Sequence, residues 1–189
     1  MTKISYKLRK FKKEDTQSLV KYANNPKIAK FLTHEFPNPY TKKDAEDFLN
    51  IVSKESPTNT FAIEINGEAA GAIAITPQNW VLLRENVKIE IGCHDPAEVG
   101  YWLAEEYWNN GIMTSVIKDI LKYGFETFDI DCIYATPFIP NKASQRILTK
   151  AGFTSDLKKR KIMKFIEEYE VFLFQFQKNK LNKINKKIL

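Results

Sequence analysis

Three short stretches hold residues whose types and spacing could do chemistry. The first is the turn Asn109, Asn110, Gly111, set between an apolar strand and a long amphipathic helix. The first N–H groups of a helix have no partner within it, and the helix dipole adds partial positive charge there, so a strand feeding a helix through such a turn can hold phosphate. The tripeptide alone fits a plain strand-to-helix connection as well. The second is Glu98, in a run with Val99, Tyr101 and Trp102 and five residues before Leu103. A carboxylate among apolar neighbours accepts a proton from an ammonium more readily than one in water. Glu98 could instead face solvent or pair with a lysine at the strand start. Side chains alternate along a strand, so a bulge near Gly100 would decide which face it takes. The third is the pair Asn141 and Ser144, spaced as an N-cap and the third helical position of a following helix.

Other chemistries find little support. The only histidines are His34 and His94, and neither they nor the two cysteines, Cys93 and Cys132, have metal-ligand spacing; no metal is expected. No Ser-His-acid or Cys-His set marks a covalent nucleophile. The Gly111 turn lacks the G-x-x-x-x-G-K-[ST] pattern of a nucleotide-hydrolysing loop.

A chain of 189 residues, 43% apolar and 28% charged, suits one globular domain with a sizeable core. No apolar run approaches the roughly 20 residues that span a bilayer. The start, MTKISYKLRKFKKED, has no apolar signal core, so a cytoplasmic location without membrane attachment is expected. Two cysteines 39 residues apart fit a reducing compartment, with buried thiols expected. The net charge of +6 raises nucleic acid as a partner, but residues 178–189 carry five lysines and no acid, and without them 24 basic residues face 23 acidic ones. A domain of 1–177 followed by a basic, solvated tail of 178–189 is the reading, and nucleic acid is not the expected partner.

The elements that must position these residues can be taken in order. Residues 4–9 alternate as a strand, 14–23 read as helix, and 28–32 as a further helical turn. Thr41 and Asp44 form an acidic capping box opening a helix with Ala45, Phe48, Leu49 and Val52 on one face. Residues 60–65 and 69–75 are strands joined by Asn66-Gly67, a tight hairpin turn. Residues 76–86, with Trp80, Val81, Leu82 and Leu83, form an apolar connection that is either tucked over the sheet or used as a homodimer interface or acceptor wall. A strand at 87–92 and another at 97–103 follow. The helix after Gly111 turns Met113, Val116, Ile117, Ile120, Leu121, Gly124, Phe125 and Phe128 to one face. A strand at 131–136 leads to a helix begun by Asn141, with Ala143, Ile147, Leu148 and Ala151 inward and Gly152 as its stop. Residues 157–164 are basic, and 169–176 read as one final strand. Strands alternating with helices, with hairpins at both ends, give an α/β (α+β) fold with a mixed sheet.

The stretch GYWLAEEYWNNGIMTSVI, followed about thirty residues later by NKASQRILTKAGF, resembles the GNAT superfamily of acetyl-CoA-dependent N-acetyltransferases, and the likeness runs over residues 4–176. It is similar above all to the branch holding the ribosomal-protein N-terminal-alanine acetyltransferases and several antibiotic-modifying enzymes. The resemblance implies a single domain with a mostly antiparallel central sheet flanked by helices and two central strands splayed to hold CoA. It places Trp108, Asn109, Asn110, Gly111, Ile112 and Met113 on the family's pyrophosphate loop, where Met113 is bulkier than the usual Gly or Ala. It gives the diphosphate to backbone N–H groups of 109–114, with Thr114 the last of them, and the pantetheine and thioester carbonyl to the strand edge at Trp102 and Leu103. It implies Glu98 as general base, Asn141 as a contact to cofactor or strand edge, and Ser144 near the CoA sulfur as proton donor. In the last strand Glu170 and Phe174 replace the family's D-x-x-x-Y, which removes a tyrosine hydroxyl, and Lys158 to Lys164 lacks an acidic residue found in ribosomal-protein acetylating relatives. These basic residues could meet the CoA 3′-phosphate or form a solvated hairpin face. The implied partners are acetyl-CoA and an amine, either a protein N-terminus or a small molecule, joined in a ternary complex. A non-catalytic acyl-CoA-binding or regulatory module would keep the 109–114 loop and dispense with Glu98.

Overall fold

A computed structural model of the chain describes residues 4–33, 35–78, 92–164 and 167–181. The expected strand at 87–92, the Trp80 connection, His34 and most of the tail lie outside the described residues. The elements are β1 (Lys7–Arg9), α1 (Thr16–Ala23), α2 (Pro26–Ala29), α3 (Lys42–Val52), β2 (Thr60–Ile65), β3 (Glu68–Pro77), β4 (Pro96–Leu103), α4 (Ile112–Thr127), β5 (Cys132–Ala135), α5 (Lys142–Ala151), β6 (Lys159–Lys164), β7 (Glu167–Phe172) and β8 (Phe174–Gln177). Short 3₁₀ turns occupy Lys13–Asp15, Glu105–Tyr107 and Lys178–Lys180. The fold is α/β with a mixed, mostly antiparallel central sheet flanked by helices, as expected. No described helix is long and apolar enough to cross a membrane.

Contacts divide the chain into two compact units, Met1–Ala74 with Gly100–Val116, and Ile75–Val99 with Ile117–Leu189. Their boundaries fall inside β3, β4 and α4 and not in linkers. In the first unit β1 and β2 pair antiparallel, as do β2 and β3 across Asn66-Gly67. Both turn residues hold positive φ, 52° and 84°, which is the conformation that selects Asn-Gly in two-residue hairpins. Thr41 caps α3 through a reciprocal box with Asp44, and Ala45 and Leu49 are buried with Phe48 and Val52 packed alongside. The same core takes Phe11, Leu19, Ala23, Tyr40, Ala62, Ala69 and Ala72. One charge is buried there. Asp15 is 2% exposed, and Arg9 meets it with two hydrogen bonds of 2.7 Å while also reaching Glu64. A buried carboxylate requires such a partner. Asp15 and then Glu64 raise the Arg9 guanidinium further above its ordinary value.

In the second unit β4 and β5 run parallel, with Pro96 opposite Cys132, Ala97 opposite Ile133 and Glu98 opposite Tyr134. No residue of β4 beyond Glu98 pairs with β5. β8 joins β5 antiparallel. The buried residues Ile120, Leu121 and Phe125 of α4 meet the expected face, with Phe128 half-buried just past the helix end. On α5 Leu148 and Ala151 are buried, but Ala143 is exposed, because the inward stripe begins a turn later than the sequence suggests. Gly152 closes α5 at φ 100°.

Two expectations are corrected here. The final strand is two strands: β7 pairs with β6 in a separate hairpin, and β8 pairs with β5. Leu173 and Phe174 are consecutive and both buried. At Leu173 the chain leaves one partner strand for another. The cysteines are also not free thiols. Cys93 and Cys132 form a disulfide, because the parallel pairing brings the residue three before Pro96 beside the first residue of β5. Spacing in sequence gives no view of that register.

Two glycines sit where a side chain has no room. A Cβ on Gly71 would stand 2.5 Å from the Trp102 carbonyl oxygen, whereas one on Gly124 would meet the tip of Ile75. Backbone cannot yield cheaply and a side-chain tip can. Gly71→Ala is therefore expected to cost about 1–3 kcal/mol. Gly124→Ala should stay near neutral, because a helix propensity gain of about 1 kcal/mol offsets the crowding. Urea unfolding of the two variants checks the order; equal losses would overturn it.

Candidate functional site

In the first unit the predicted residues form one continuous clasp. β4 ends at Leu103, which is buried, and a 3₁₀ turn carries the chain to Trp108. The Trp108 indole Nε1 donates to the Leu103 carbonyl oxygen at 2.7 Å, so the exposed ring is fastened back over the strand end. Asn109 (φ 62°) and Gly111 (φ 74°) both take left-handed backbone around Asn110. The Asn110 side chain donates to the Trp108 and Tyr107 carbonyls at 2.9 and 3.3 Å, which braces the turn from within. Nothing lies within 4 Å of where a Gly111 Cβ would stand, so its surface is open. α4 then begins at Ile112, leaving the N–H groups of its first turn without intrahelical carbonyls. Ile112 and Met113 are buried and Thr114 is half-buried. The bulk of Met113 is thus taken into the core, where a Gly or Ala would leave space.

Trp102, half-buried, packs its ring edge-on against Phe36 at 6.3 Å, and Phe36 lies 5.3 Å from Tyr40. Burial pushes the Tyr40 phenol up to about 12, so Tyr40 packs and does not exchange protons at neutral pH. Phe36 was invisible in the sequence, since a loop residue between prolines shows no periodicity. Just past the strand, Glu105 accepts from Asn25 Nδ2 at 2.9 Å and pairs with Lys27. Lys27 first, then Asn25, lower the Glu105 carboxyl below its ordinary value. This carboxylate anchors α2, whose N-cap is the same Asn25.

In the second unit Glu98 is half-buried on β4 and accepts a hydrogen bond of 2.8 Å from the Thr136 hydroxyl. Thr136 follows the last residue of β5 directly. Sequence reasoning ended the expected strand on Thr136 without giving it a role, and the only available signal was a Thr before Pro137 at that strand's end. Ala97 and Val99 are buried, and Gly100 is exposed. Glu98 therefore shares the less buried face of the strand. Asn141 caps α5, its Oδ1 accepting from the Ser144 N–H at 3.0 Å. Ser144 is half-buried. The turn before the cap is held by Gln145 Nε2, which donates to the Ile139 and Phe138 carbonyls.

Two of the basic residues of the 157–164 segment are paired locally. Arg160 grips Asp156 with both guanidinium nitrogens, at 2.9 and 2.8 Å, and Lys161 meets Glu168 at 2.8 Å. The guanidinium and the Lys158 N–H hold the Asp156 carboxyl well below the carboxylate range. Phe174 is buried, so the position that lost a tyrosine hydroxyl serves packing.

The family described as the acetyltransferase (GNAT) domain matches residues 6–154 of this chain. The chain is 29% identical over 136 residues to an uncharacterized N-acetyltransferase, YoaA, of Bacillus subtilis, a match covering 61% of this chain and 77% of that one. It is 24% identical over 151 residues to the spermidine N(1)-acetyltransferase of Escherichia coli K12, covering 79% and 73% respectively. Among solved structures, Mycobacterium smegmatis RimJ in complex with CoA-disulfide superposes with a TM-score of 0.72 at 19% identity, covering 93% of this chain and 83% of that one.

The Glu105 anchor has a pH signature. Its folded carboxyl titrates below its unfolded value, so its contribution is present above the unfolded value and is lost as pH falls through the folded one. Glu105→Gln is expected to lower the melting temperature at pH 7 by about 1–2 °C and to flatten the further fall between pH 6 and 3. An acid-induced fall as steep as wild type would show that Glu105 does not anchor α2.

Proposed function

This chain belongs to the GNAT acetyltransferase family, and from that premise we propose how its own residues serve acetyl transfer and which acceptors suit it. The enzyme is an N-acetyltransferase whose acetyl donor is acetyl-CoA. Backbone N–H groups of residues 109–114 take the CoA diphosphate, with Trp108 to Met113 setting the path of the loop and Thr114 ending it. Trp102 and Leu103 offer the strand edge to the pantetheine and the thioester. The observation that supports this reading most is the Trp108 bond to the Leu103 carbonyl. It fixes the loop to the strand end before any ligand arrives, and donors held in place in advance lose least on binding.

Glu98 takes a proton from the acceptor ammonium, and the freed amine attacks the thioester carbonyl. The tetrahedral adduct loses the second proton of its nitrogen to solvent and collapses, the C–S bond breaks, and CoA leaves as a thiolate that gains a proton from water, or from Ser144, which water then reprotonates. Thr136 is a positioning residue: its hydroxyl donates to Glu98 Oε1 at 2.8 Å and so holds the carboxylate in place. Asn141 fixes Ser144 through the helix cap. The acceptor class is a primary amine in a ternary complex with the donor, a protein N-terminus or a small molecule. The likeness to the spermidine N(1)-acetyltransferase supports the small-molecule class. The catalytic domain spans residues 1–177, with 178–189 as a basic tail.

Two experiments test the roles separately. Trp108→Phe keeps an aromatic ring and removes the N–H donor, so the dissociation constant for acetyl-CoA in calorimetry is expected to rise roughly tenfold, the equivalent of about 1.4 kcal/mol. Unchanged affinity would mean the clasp does not order the loop. Glu98→Gln should bind acetyl-CoA as wild type does and lose about 10²-fold or more in turnover, read by the mass of acetylated amine. Full turnover in that variant would remove Glu98 from the mechanism. Binding without turnover in the wild type, across an amine panel, would favour an acyl-CoA-binding module.

A further inference from the structure

The proposed chemistry does not use the Cys93–Cys132 pair, and the surroundings of Cys93 suit a thiolate. Cys93 is half-buried just before β4, and Cys132 opens β5 with no solvent exposure. Two side-chain amides on β8 aim at the same sulfur: Gln177 Nε2 stands 3.4 Å and Gln175 Nε2 3.7 Å from Cys93 Sγ. A disulfide sulfur is a weak acceptor, while a thiolate is a strong one, so paired donors favour negative charge on Cys93. Asp131 has a carboxylate oxygen within 4.8 Å of both sulfurs. Its carboxylate is engaged by the His94 and Asp95 N–H groups at 2.9 and 3.2 Å, which disperses its charge and holds the loop carrying Cys93.

We propose that Cys93 and Cys132 are a reversible dithiol–disulfide site, with Cys93 the attacking sulfur, Cys132 the resolving one, and a low-molecular-weight disulfide of the glutathione type as oxidant. The Cys93 thiolate attacks one sulfur of that disulfide, forming a mixed disulfide and expelling a small thiolate. The small thiolate takes the proton of Cys132. The Cys132 thiolate then attacks Cys93 Sγ, the mixed bond breaks, and a second small thiolate leaves and is protonated by solvent. Two cysteine thiols and one small disulfide become one protein disulfide and two small thiols, and reduction is the reverse. Access favours this order, because Cys93 is reachable and Cys132 is sealed. The bond lies at the start of the short β4–β5 ladder, beside the Pro96 and Cys132 pair. The oxidised state therefore clamps the first rungs, and the reduced state leaves them to three residue pairs and the Asp131 contacts.

The test equilibrates the full chain across reduced-to-oxidised glutathione ratios, quenches with acid, alkylates, and counts adducts by intact mass. Two adducts are expected to appear together within the glutathione range. Melting temperature should fall by about 5–15 °C on reduction, and the amides of Ala97 and Ile133 should exchange faster. Thiols that stay open at the oxidised end, or a bond that stays closed at the reduced end, would overturn the proposal, and the wild type alone decides this. In Cys132→Ala, oxidised glutathione should accumulate as a mixed disulfide on Cys93, while Cys93→Ala should accumulate little on Cys132. Equal trapping in the two would overturn the assignment of roles.

Discussion

The pairing of β4 with β5 is parallel, and much of the rest follows from that direction. Antiparallel neighbours can be joined by two residues, as β2 and β3 are by Asn66-Gly67. Parallel neighbours cannot: the chain must travel back the length of the strand before it can start again. α4 is that return. It is long because it spans the distance, apolar on one face because it covers the sheet on the way, and it begins within a few residues of the end of β4. A helix N-terminus following a central strand is thus a by-product of strand direction, and the loop proposed to take the CoA diphosphate leads into it. The ladder is also short. It stops at Glu98 and Tyr134, and the backbone of β4 beyond that point has no β5 partner.

What could be read from the chain beforehand was whatever is encoded within about four residues. The Thr41–Asp44 box, the Asn66-Gly67 turn, the Asn141 cap and the Gly152 stop are local devices and stand where expected. The loop at 109–111 was legible for the same reason, since Asn and Gly are the residues that tolerate left-handed backbone. Several misses were matters of register. Cys93 meets Cys132 only because two strands align in a particular phase. Thr136 reaches Glu98 across 38 positions. The run from Tyr169 to Phe176 looked continuous because apolar residues filled it, and the change of partner at Leu173 depends on which distant strand lies beside each half. Phe36 and the use of the Trp108 indole were hidden because neither lies on a periodic face.

Charge is arranged so that few of the structural acids in the first unit act alone. Asp15 and Glu64 share Arg9, Glu68 takes Lys21 and the Tyr22 hydroxyl, and Glu105 takes Lys27. Lys21, and after it Tyr22, hold the Glu68 carboxyl below its ordinary value. Burial, then Glu68, raises the Tyr22 phenol. These pairs join β1, β2, β3 and the early helices to one another, so the carboxylates serve as fasteners. In the second unit Arg160 and Lys161 are spent in the same way on Asp156 and Glu168. The +6 net charge of the whole chain therefore says little about any one face of it.

The segment around Gly71 has a history written into it. β3 reads Ala69, Ala70, Gly71, Ala72 before its first large residue, and at Gly71 the neighbouring main chain stands where a methyl group would go. Elsewhere in the core, drift can proceed by exchanges of volume, a methylene lost here and gained there. At this position every exchange carries a cost that no change at a neighbouring side chain can relieve, because the obstacle is a carbonyl oxygen that every amino acid carries. A lineage could leave glycine only by first moving a strand. A tight steric constraint thus falls on a residue with no side chain.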